Sequence, residues 1–94
     1  MTRDEAFGRL TAITAALVEL HNTRATAAQG LYLARSRALE QGFASGLSAT
    51  AARDSADSST VQLRNQLVGL EGEIAGYVEE RDHIRFLIDH GAIT

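Results

Sequence analysis

From Thr60 to Ile88 the apolar residues Leu63, Leu67, Leu70, Ile74, Tyr77, Ile84 and Ile88 are separated mostly by threes and fours. That spacing keeps side chains on one face of an α-helix. A seven-residue repeat fits the stretch, with Thr60, Leu67, Ile74, Arg81 and Ile88 at one seam position. Ala56, Leu63, Leu70, Tyr77 and Ile84 occupy the other. A face of this kind needs a cover, because apolar surface left in water costs about 25 cal/mol for each Å². The cover is a second series, Leu10, Ile13, Leu17, Leu20, Ala27, Leu31, Ala34 and Ala38, with the same spacing and with Arg24 in its seam. The chain has no proline, so neither series meets the strongest helix breaker.

The ends of both helices can be placed from capping chemistry. Thr2 stands three residues before Glu5, the pattern of a capping box, so the first helix is expected over about residues 3–41. Gly42-Phe43-Ala44-Ser45-Gly46-Leu47-Ser48 predicts a turn over 42–48, with Ser48 able to cap a second helix over about 49–90. His90-Gly91 supplies its stop. The weak point is Asp54 to Ser59, where serine and aspartate compete for backbone hydrogen bonds. A break near residue 57, with a new start capped by Ser58, is the alternative to one continuous helix. Reversal near residue 45 pairs positions whose numbers sum to about 90, such as Leu17 with Ile74 and Leu31 with Thr60. The expected fold is a single all-α domain over 1–94, an antiparallel, coiled-coil-like two-helix hairpin. Val61, Val68, Val78, Phe86 and Leu87 lie off the seam, and a lone hairpin leaves them uncovered. Assembly of two copies as a dimeric helical bundle covers them. Gly69, Gly72 and Gly76 form a further stripe opposite the seam, which either admits another backbone or is simply tolerated.

Charge separates along the chain. The net charge is −3, all nine basic residues are arginine, and there is no cysteine. Residues 24–64 hold Arg24, Arg35, Arg37, Arg53 and Arg64 against Glu40, Asp54 and Asp57, a balance of +2, which leaves −5 for the remainder. The turn end is therefore basic and the opposite end acidic. Without cysteine there is no disulfide or thiolate chemistry. No apolar run approaches the ~18 residues of a membrane span, and the start lacks a charged-then-apolar signal pattern. A soluble protein of a bacterial cytoplasm is expected, without a membrane partner.

Few residues suggest chemistry. Glu80-Arg81-Asp82-His83 has the Glu-x-x-His spacing of ferritin-like di-iron helices, with Glu19 as the one plausible second carboxylate. Glu79 with His83, or His83 with His90, are further pairings, yet the seam register turns His83 outward. No metal, cofactor or catalytic residue is therefore expected. Gly46-Leu47-Ser48-Ala49-Thr50-Ala51-Ala52-Arg53 is similar to the turn and recognition-helix start of helix-turn-helix proteins. Arg35, Arg37, Arg53 and Arg64 would supply its phosphate contacts.

Two family resemblances follow from these motifs. The glycine turn beside Phe43, the length and the lack of cysteine resemble the secreted Trp-x-Gly helical hairpins of actinobacteria. Phe43-Ala44-Ser45-Gly46 has no tryptophan and one extra residue, and Arg81 stands where that family's secretion motif has an acid four residues after tyrosine (Tyr77). Gly-Leu-Ser-x-Thr-Ala-Ala-Arg from Gly46, Leu70 to Ala75, and Glu80 to Ile88 resemble small helical proteins of actinobacteriophages. The lysine-free, alanine-rich composition suits such a GC-rich source. The expected function is a non-enzymatic protein–protein interaction module that self-associates and binds or modulates a host protein. Its seam is Leu10, Ile13, Leu17, Leu20, Leu63, Leu67, Leu70, Ile74, Tyr77 and Ile84, and Arg35, Arg37, Arg53 and Arg64 form its partner-binding basic end. DNA binding through the turn region and a secreted hairpin are the alternatives.

Overall fold

The computed structural model describes residues 1–93, which form three helices and, among the described residues, no strand. They are α1 (Arg3–Ala44), α2 (Ala49–Ser59) and α3 (Val61–Asp89). α1 opens with the expected capping box: the Glu5 amide donates to Thr2 Oγ1 (3.2 Å) and the Thr2 amide to Glu5 Oε1 (3.4 Å). Asp4 and Glu5 in its first turn oppose the positive end of the helix dipole. Thr11, Thr14 and Thr23 lie within α1, and each satisfies its hydroxyl by donating to the carbonyl four residues back, at 2.9–3.0 Å.

Both glycine stops are Schellman motifs. The Leu47 amide donates to Gly42 O and the Gly46 amide to Phe43 O, each at 3.0 Å, with Gly46 at φ +83°. At the end of α3 the Ala92 and Gly91 amides donate to Leu87 O and Ile88 O, with Gly91 at φ +67°. The first stop corrects the expected turn over 42–48, because α1 runs on to Ala44 and Gly42 stays inside it. Gly42 has a steric duty instead. A Cβ there would lie 3.0 Å from Ala52 Cβ and 3.3 Å from Ala52 Cα. Glycine lets α2 approach α1 closely.

The second helix does break, at Thr60 and not at Asp57 or Ser58. Ser48 Oγ caps α2 by accepting the Ala51 amide (3.2 Å). At the other end the Ser59 and Thr60 hydroxyls both donate to Ala56 O (3.1 and 2.8 Å), and Arg64 Nη2 donates to Asp57 O (2.6 Å). These donors reach the Ala56 and Asp57 carbonyls in the last turn of α2. α3 then starts one residue later, with the Arg64 amide bonded to Thr60 O.

The chain divides into two compact units, Met1–Thr23 with Leu70–Thr94, and Arg24–Gly69. In the first, α1 and α3 pack together around buried Ala6, Ile13, Leu17 and Ile84, with Leu10, Ile74, Tyr77, Val78, Ile88 and Ile93 half-buried against them. In the second, the buried side chains are Ala52, Ala56 and Thr60, all small. No described helix is long and apolar enough to cross a membrane.

Candidate interaction surfaces

The seam residues face inward. Ile13, Leu17 and Ile84 are buried, and Leu10, Leu20, Leu63, Leu67, Leu70, Ile74 and Tyr77 are half-buried. Val61, Val68 and Phe86 are exposed, as their off-seam positions imply. Val78 and Leu87 are not: both are half-buried, and Val78 packs against the core of the first unit. The seam arginines differ from one another. Arg24 is exposed, whereas Arg81 is half-buried and reaches along the edge to Asp82 Oδ1 (3.2 Å).

At the edge of the first unit Arg9 clasps Glu80 with both nitrogens, Nε to Oε2 and Nη2 to Oε1 (2.8 Å). Fork-on-fork geometry of this kind gives strong, directional hydrogen bonds. Those hydrogen bonds hold the Glu80 carboxyl below its ordinary range and raise the Arg9 guanidinium above its own. The guanidinium also lies 5.9 Å from the Tyr77 ring centroid. Arg9, Glu73, Gly76, Tyr77 and Glu80 line a shallow, open pocket of about 350 Å³. Its one guanidinium is already matched to a carboxylate, and its lining holds no nucleophile beside a base. Because Glu80 is committed to Arg9 and His83 points to solvent, the Glu-x-x-His spacing builds no ligand pair here. Among the described residues no three histidine, aspartate or glutamate side chains converge on a metal position.

The basic end splits into two pairs. Arg35 Nε meets Asp57 Oδ1 at 3.2 Å while Arg64 takes the Asp57 carbonyl, so one residue absorbs two of the four expected arginines. Arg37 and Arg53 are exposed and have no ion pair among the described residues. The sequence marks Asp57 only as a weak helix residue. Its role becomes legible only once Arg35 and Asp57, whose numbers sum to about 90, are set against each other.

Gly69, Gly72 and Gly76 are exposed, and a Cβ at any of them meets nothing within 4 Å. Within the chain they serve no close approach, unlike Gly42. Comparison with known proteins adds no constraint: no family model, curated protein or solved structure matches this chain.

Proposed function

We propose that the chain is a non-enzymatic protein–protein interaction module, an antiparallel helical hairpin that pairs with a second copy and holds a protein partner. The observation carrying this reading is the distribution of large apolar side chains. Among the described residues ten are exposed, Tyr32, Val68, Met1 and Val18 most of all, while only Ile13, Leu17 and Ile84 are buried. Scattered single exposures are ordinary, but ten of them against three buried, with the remainder only half-buried, leave apolar surface that a partner can cover. Arg37 and Arg53 add a basic element that steers an acidic partner. The resemblance to small actinobacteriophage proteins extends the reading to a phage-encoded protein that acts on a host protein in the bacterial cytoplasm.

Capture from an actinobacterial lysate with tagged protein tests it. A discrete host protein is expected, retained after nuclease treatment and lost with the Arg37→Glu/Arg53→Glu variant. Nucleic acid, or proteins released by nuclease, would instead favour DNA binding through the turn end, the second reading that the two unpaired arginines support. Capture of nothing specific, with a monomeric chain in solution, would remove the module reading.

A further inference from the structure

We draw no further inference here: the strongest candidate, the apolar stripe that exposed Tyr32 and Phe43 form with half-buried Leu39 on α1 within the second unit, is an unpartnered helix face, and nothing in the structure shows what covers it.

Discussion

Gly42→Ala isolates the one place where this fold demands a glycine for space inside a helix. The added methyl would sit 3.0 Å from Ala52 Cβ and 3.3 Å from Ala52 Cα. Unstrained carbon contacts lie at about 3.5–4.0 Å. One of the two partners is backbone, so the clash cannot be relieved by turning a side chain, and α2 must move. Overpacking of this kind costs about 1–3 kcal/mol. Against it stands the helix preference of alanine over glycine, about 1 kcal/mol in a helix interior. Gly42 lies near the end of α1, where that gain is smaller, so the steric cost wins by about 1 kcal/mol.

Gly30→Ala is the matched control, since Gly30 lies within α1 and a Cβ there meets nothing within 4 Å. It should gain the propensity term alone, about 1 kcal/mol. In a chain of this size each kcal/mol moves Tm by about 4–8 °C. Thermal unfolding followed by circular dichroism should thus show opposite signs, Gly42→Ala melting below the parent and Gly30→Ala above it. Amide exchange should quicken over 49–59 in Gly42→Ala and not in Gly30→Ala. If both variants melt higher by the same amount, Ala52 does not press on Gly42 and the α1–α2 packing described above is wrong.

Three further outcomes are expected. Ile13→Ala, at a side chain fully buried between α1 and α3, should cost about 2–5 kcal/mol in urea unfolding, and a cost like that of a surface site would refute the core assignment. Thr60→Val keeps the buried volume but removes the hydroxyl bonded to Ala56 O (2.8 Å), which still accepts from Ser59 Oγ (3.1 Å), so it should destabilise by about 0.5–1.5 kcal/mol; a neutral result would show that the break does not depend on that bond. The Glu80 carboxyl is held low by Arg9, so its contribution to stability is present above the ordinary carboxylate range and fades as pH falls through the lowered value. Nuclear magnetic resonance titration of Arg9→Met should place Glu80 back in the ordinary range, and an unmoved titration would show that the clasp is absent in solution.

The parts of this structure legible in the sequence are those in which a local rule and the tertiary contact require the same thing. The capping box at Thr2 and Glu5, the Ser48 cap and the Gly91 stop need only a few neighbouring residues, and each is found. The seam is equally legible, because three-and-four spacing forces its residues onto one face whatever covers them. Gly42 departs from its sequence expectation for a physical reason. A glycine in a sequence announces freedom of the backbone, but it can equally mark missing volume, and only the partner helix shows which. Gly46, four residues on, carries the positive φ that Gly42 does not need.

Thr60 shows the same limit from the other side. The weak stretch was visible as a run of serine and aspartate, yet those residues weaken a helix anywhere along the run. The break settles where the freed carbonyls of α2 find donors, and Ser59, Thr60 and Arg64 supply them together. Arg64 is drawn to this end by the negative pole of α2, and Asp57 draws Arg35 with its side chain. An arginine-rich turn end therefore offers less positive surface than its residue count implies. Of the four arginines at that end, Arg37 and Arg53 are the two that the break at Thr60 does not use.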